Sequence, residues 1–154
     1  MSLTEAEAEA FLSEPKTLLG KIAWNTVSDA QFIYKAVAKV LLTQSGNASL
    51  LDLVLTYNSK ARTFVFVLRY AHRENIRRLE FNKPHINPGR SREHIGKLHK
   101  HKWTDAYGDT WAYEPTDIED PWDFRRSLGN FLTECNIEYE PAQLGTLQVQ
   151  GRWI

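Results

Sequence analysis

LLDLVLTYNSKARTFVFVLRY, residues 50–70, holds two strand-length runs separated by a turn. Leu50–Tyr57 and Thr63–Tyr70 are apolar on both faces, and Asn58, Ser59 and Lys60 supply the hairpin chemistry between them. Strands apolar on both sides belong in the middle of a covered sheet. A connection this short makes them antiparallel. On the N-terminal side, Phe32, Tyr34, Ala36, Ala38 and Val40 alternate with Ile33, Lys35, Val37 and Lys39, and the turn QSGNAS follows. On the C-terminal side, Ile76–Phe81 reads as a fourth strand, with Leu79 and Phe81 on opposite parity from Arg78 and Glu80. His99–Thr104 and Thr110–Glu114 read as two short strands around the turn DAYGD. Asn82–Leu98, with two Pro and two Gly, shows no periodicity and is expected to be a basic loop.

Thr4 opens a short helix to Ser13, with Glu7 at the capping-box spacing, and Pro15 ends it. Thr17–Val27 is ambiguous and admits a strand. A longer helix follows Asp120, taken as its cap, with Pro121 in its first turn. Phe124, Leu128, Phe131, Leu132 and Cys135 recur on one face. Cys135 sits on that stripe and reads as a buried apolar residue rather than a nucleophile. The tail Leu144–Trp153 alternates weakly, as an edge strand or a mobile segment. The expectation is an α+β fold: an antiparallel sheet of five or six strands packed by one C-terminal helix, plus a short N-terminal helix, in a single domain over 1–154.

A chain of 154 residues with 42% hydrophobic and 25% charged side chains suits a soluble globular protein. One cysteine allows no intramolecular disulfide. No apolar run reaches the ~18 residues that a bilayer needs. The start MSLTEAEAEAF is acidic where a signal peptide would be basic and then apolar. A cytoplasmic protein with no membrane partner is expected.

The net charge of zero conceals a segregation. Lys60–Trp103 carries twelve Lys and Arg against three Glu, and all five histidines lie between His72 and His101. A basic field recruits phosphate-rich partners, and histidine moves protons near neutral pH. His99 and His101, two residues apart, share one face if they lie on a strand. With His85, they could cleave an RNA phosphodiester without a metal, one imidazole as base and another as acid. Arg78, Lys97, Lys100 and Lys102 would hold phosphate, and Trp103 and Tyr107 would stack a base. The alternative is a metal held by the pair, with His85 or His94 as third ligand and Asp105 or Asp109 as carboxylate. A His-x-His pair on a strand resembles the first half of the cupin metal motif, without that motif's following Glu. The local positive charge disfavours a cation, so no metal and no other cofactor is expected. His85 lies in KPHINPG, stiffened by Pro84 and Pro88. No P-loop, dinucleotide fingerprint, nucleophile elbow or Cys-x-x-Cys pair is present.

RRLEFNKPHINPG, LHKHKW, YGDTWAYEP and a helix ending ECNI, in that order, resemble an uncharacterised family of short bacterial and prophage proteins. LTEAEAEAF is similar to that family's start. Leu98 stands where members often have Pro, and Trp103 where they often have Tyr. The resemblance points to Arg78, His85, Asn87, His99, His101, Gly108, Asp109 and Trp111, and implies no activity. Together with the prophage association, the leading expectation is a toxin-type ribonuclease acting on RNA or nucleotide phosphodiesters, with an antitoxin or a defence complex as a possible protein partner. The runner-up is a non-catalytic phage or mobile-element inhibitor that binds a host defence or nucleic-acid complex. A His-ligated metal enzyme is the third reading.

Overall fold

Most of the residues that alternate as apolar along the central strands are buried in the computed structural model, which describes residues 2–27, 29–149 and 152–154, whereas Phe32 stays exposed. The first helix, α1 (Glu5–Ser13), begins with a complete capping box. The Thr4 hydroxyl accepts from Glu7 N at 3.1 Å, and the Glu7 carboxylate accepts from Thr4 N at 2.9 Å. Ala8 and Leu12 are its buried face.

Lys16 completes the other end of α1. Its side chain is fully buried, and Nζ donates to the carbonyl oxygens of Phe11, Leu12 and Glu14 at 2.7, 3.0 and 2.5 Å. Helix ends leave carbonyls without partners, and here one ammonium group takes three. Burial lowers its pKa to about 8, against the opposing pull of Glu14 and Cys135.

The strands are β1 (Lys16–Leu18), β2 (Asn25–Val27), β3 (Ala30–Leu42), β4 (Ala48–Asn58), β5 (Thr63–Tyr70) and β6 (Glu74–Phe81). They continue with β7 (His85–Ile86), β8 (His94–Ile95), β9 (Leu98–Thr104), β10 (Gly108–Tyr113), β11 (Ile137–Glu138), β12 (Gln148–Val149) and β13 (Arg152–Trp153). Among the described residues, nine strands make the main sheet, in the order β10-β9-β6-β5-β4-β3-β1-β11, with β2 beside β3. Its pairs are antiparallel except β1 with β11. The α+β expectation is met, and the two long hairpin strands are central. The sheet is wider than five or six strands because β1 and β2 form from the ambiguous stretch and β11 follows the second helix. The tail forms the small β12–β13 pair; residues 150 and 151, within its expected strand, lie outside the described residues.

The second helix, α2 (Phe124–Glu134), lays the expected stripe on the sheet, and Cys135 is fully buried behind it. Its cap is Asp123, which accepts from Arg126 N at 3.1 Å, rather than Asp120. Asp120 instead accepts from Trp122 N in the turn before. The helix therefore starts beyond Pro121. One face of the sheet, with Leu53, Leu55, Phe64, Phe66, Leu68 and Leu79, forms the core with both helices. The other face is open at β3, where Val37 is 53% exposed. At its β6–β9 end it is covered by β7 and β8, a small hairpin within the expected loop. No described helix is long and apolar enough to cross a membrane.

Two outcomes test this packing. Lys16→Met strands three helix-end carbonyls and lowers stability by roughly 1–3 kcal/mol in urea denaturation. Burial pushes the Cys135 thiol far above its ordinary pKa, so it stays inert to a disulfide reagent in the native protein and reacts on unfolding.

Candidate metal centre

Strand alternation sorts LHKHKW between two environments. In the β6–β9 register, Glu80 lies opposite His99 and Arg78 opposite His101, whereas Leu79 lies opposite Lys100 and Arg77 opposite Lys102. Directly opposed residues share a face. The two imidazoles therefore stand with Arg78 and Glu80 on the face away from the helices, and the two lysines face the helices.

This division corrects the expected phosphate cluster. Lys100 is 2% exposed, and its ammonium sits 2.6 Å from Asp117 and 3.1 Å from Glu134. Lys102 lies on the same face, opposite Trp111, and lines a surface pocket with Glu5 and Glu9. Lys97 is exposed and rests over the rings of Phe81 and Trp122, at 5.1 and 5.9 Å from their centroids. Of the four expected phosphate ligands, Arg78 alone stands beside the histidine pair.

The expected stacking residues also separate. Trp103 is partly buried against the core, where its indole N–H donates to Leu3 O at 2.8 Å, so it holds the N-terminus down rather than presenting a free face. Tyr107 is exposed and stacks on Trp111, ring centroids 5.8 Å apart. Gly108 has φ +59, and the Trp103 ring lies 3.6 Å from where its Cβ would be. His72 stands apart, near Asp52, and His94 is exposed on β8. Asp105 accepts from Glu5 N at 2.8 Å, so it belongs to the N-terminus and not to the centre.

His85 does join the pair. It begins β7, and the hairpin carries it over the β6–β9–β10 face. Ring centroids are 4.7 Å apart for His85–His101, 4.9 Å for His99–His101 and 5.6 Å for His85–His99. Asn87 pins the hairpin down. It is buried, donates to Ala112 O and accepts from Ala112 N, both at 2.7 Å. One side chain thus copies the pairing of a neighbouring strand on the edge strand β10, which explains an Asn two residues from this His.

Each imidazole is tied to a backbone carbonyl by one nitrogen. His85 Nε2 donates to Thr110 O at 2.8 Å, His99 Nδ1 to Gly96 O at 2.9 Å and His101 Nδ1 to Asp109 O at 2.9 Å. A carbonyl only accepts, so each of these nitrogens carries the proton. The nitrogens left without a carbonyl partner are His85 Nδ1, His99 Nε2 and His101 Nε2. One nitrogen from each ring lies within 4.8 Å of one from each of the others. Metal-binding histidines characteristically donate their second N–H in this way, which fixes the tautomer and aims the lone pair.

Charge around the cluster is arranged accordingly. Burial, Arg78 and the other two histidines lower the His101 pKa to about 4, against the pull of Glu80, so this ring is neutral at physiological pH. Burial works to raise the Glu80 carboxyl, but its contact with His99 and the charges of Arg78 and the histidines hold it below the ordinary range. Glu80 Oε2 is 3.4 Å from His99 Nε2, and Oε1 is 4.0 Å from His101 Nε2. A charged His99 paired with Glu80 would occupy one lone pair and leave two. His99 Nε2 is buried and, among the described residues, has no hydrogen-bond partner.

Three imidazoles fit a divalent transition ion, and a carboxylate stands beside them. Ligand bonds of about 2.1 Å put nitrogens roughly 3.4 Å apart on a tetrahedral ion. The rings would therefore draw together by roughly an ångström, with His85 coming from the small hairpin. The carboxylate is Glu80, not Asp105 or Asp109. The sequence placed Glu80 on the same strand face as Arg78, with no link to the histidines. Asp109 contributes its carbonyl, and its carboxylate accepts from Asn75 at 2.8 Å.

The sequence model of one protein family, described as a family of unknown function, matches residues 3–137. No curated protein and no solved structure matches the chain.

Asn87→Ala removes both bonds to Ala112 and unlatches the hairpin. Hydrogen exchange at Ala112 N–H should rise, and stability should fall by about 2 kcal/mol, while α2 amides keep their protection.

Proposed function

The chain belongs to the family of unknown function DUF6978, a membership that brings no activity with it, and we propose that it is a metal-dependent enzyme acting on phosphodiesters. His85, His99 and His101 hold one divalent transition-metal ion. The observation that carries this reading is that His85, His99 and His101 each bring a ring nitrogen within 4.8 Å of the others, while each ring is tied through one nitrogen to a backbone carbonyl.

The metal reverses the expectation of a cofactor-free centre, and there is a physical reason. Metal-free acid–base cleavage needs an imidazole that is charged near neutral pH and reaches the substrate. His99 and His101 are 1% and 2% exposed, and His101 is held neutral. Buried neutral rings are poor proton donors and good ligands. The positive charge thought to repel a cation is partly drawn away, since Lys100 and Arg77 face the helices and pair there with Glu134.

A bound ion lowers the pKa of its water toward about 7 and polarises a phosphoryl oxygen. In hydrolysis Glu80 would accept the proton of the attacking water as its oxygen bonds to phosphorus, and would pass that proton to the departing oxygen as the ester P–O bond breaks. The substrate class rests on the hairpin that carries His85. Residues 82–97 hold Lys83, Arg90, Arg92 and Lys97 against Glu93, and all four cations are exposed. They give the segment that carries His85 an exposed positive charge, suited to a nucleic-acid backbone.

Purified protein should contain one first-row transition ion per chain by mass spectrometry. Cleavage of a single-stranded RNA oligonucleotide should stop with phenanthroline and return with added metal, and His99→Ala should lose both metal and cleavage. Chelator-resistant cleavage would reinstate the metal-free mechanism. RNA binding without any cleavage would reinstate the non-catalytic binder.

A further inference from the structure

Two buried atoms of opposite character lack hydrogen-bond partners at this centre. One is the acceptor His99 Nε2; the other is the donor Arg78 Nε. A metal ion answers the first and leaves the second. Resting on the metal reading above, we infer that the centre takes an oxyanion that bridges the bound ion and the Arg78 guanidinium, in the position now held by the Glu80 carboxylate.

The surroundings of Arg78 motivate this. Its Nε lies 2.9 Å from Glu80 Oε1, close enough for charge pairing but not aligned to donate. Its Nη1 is 3.9 Å from Asp109 Oδ2, and that carboxylate already accepts from Asn75. Arg78 thus has two acidic neighbours and a hydrogen bond to neither among the described residues. A guanidinium is built to hold two oxygens of one planar or tetrahedral anion. Leaving a buried donor unused costs about 1–3 kcal/mol, a cost that a correctly seated anion removes.

Glu80 marks where that anion sits. Its two oxygens lie 2.9 Å from Arg78, 3.4 Å from His99 and 4.0 Å from His101. The carboxylate is therefore an internal occupant of the space between cation and imidazoles. The Arg78, Glu80 and Asp109 side chains are 24%, 12% and 28% exposed, so this corner of the centre reaches solvent while His99 and His101 do not. An incoming oxyanion would take Arg78 from Glu80 and leave that carboxylate free to accept a proton. The shared chemistry is an O–X–O monoanion, which a phosphodiester or a carboxylate supplies. The exposed cations of the neighbouring hairpin favour the phosphodiester.

The test uses the full chain loaded with cobalt(II), whose visible bands report its ligands. Dimethyl phosphate should shift those bands saturably, and acetate should do so more weakly. Arg78→Met should keep cobalt and lose about tenfold or more in phosphate affinity, with Arg78→Lys intermediate. Glu80→Gln should tighten phosphate several-fold by removing the competing charge. Cobalt bands that ignore both anions, or an Arg78→Met affinity equal to wild type, would overturn the inference and leave the metal centre standing. A preference for acetate would overturn the phosphodiester assignment. Failure to bind cobalt at all would remove the metal centre and the bridge together.

Discussion

The two-residue period of β9 governs this molecule. Neighbouring side chains on a strand point to opposite faces, so the run His99, Lys100, His101, Lys102 cannot act as one basic cluster. The register with β6 gives each set its own company. The imidazoles meet Glu80 and Arg78, and the lysines meet the acidic residues of the helical side. A slip of one residue would exchange the two sets. It would bury imidazoles against Glu134 and lift Lys100 to the other face.

That division also explains the zero net charge. The basic middle and the acidic ends meet across the helical side of the sheet. Arg77 reaches Glu9 on α1 and Glu134 on α2, both at 3.0 Å, and donates to the Tyr113 hydroxyl at 2.6 Å. Lys100 adds Asp117 and Glu134. Buried charges persist only when paired and hydrogen-bonded. Both helices are therefore held to the sheet by specific ion pairs as well as by apolar packing. Part of the charge that suggested a nucleic-acid surface is structural. Lys83, Arg90, Arg92 and Lys97, in and beside the small hairpin, stay exposed, as do Lys60, Arg62 and Arg73.

The histidine centre is assembled from the backbone outward. Three carbonyls orient three rings, and Asn87 fastens the hairpin that brings the third. Preorganisation of this kind aims lone pairs before a ligand arrives. The same arrangement leaves Arg78 and Glu80 at the solvent-facing corner, where an exchangeable ligand has access. A site closed on all sides holds an ion for structure; one with a charged corner toward solvent can exchange a ligand.

Hydrophobic periodicity by itself determined the α+β class, the antiparallel pairing of the central strands, the α1 cap and the α2 stripe with Cys135. Each of these is a local pattern read along the chain. Short-range chemistry also placed His99 and His101 on one face and singled out His85, and the family resemblance added Asn87. It left β1 ambiguous and did not reveal β11 or the β7–β8 hairpin, which are two or three residues long and depend on the segments that pair with them or lie beneath them. Nor could it tell that Lys16 would close α1, that Lys100 would be buried, or that Glu80 would be the carboxylate of the centre. Parity names the face of each strand, but which face is covered, and by what, is decided when strands far apart in sequence come into register.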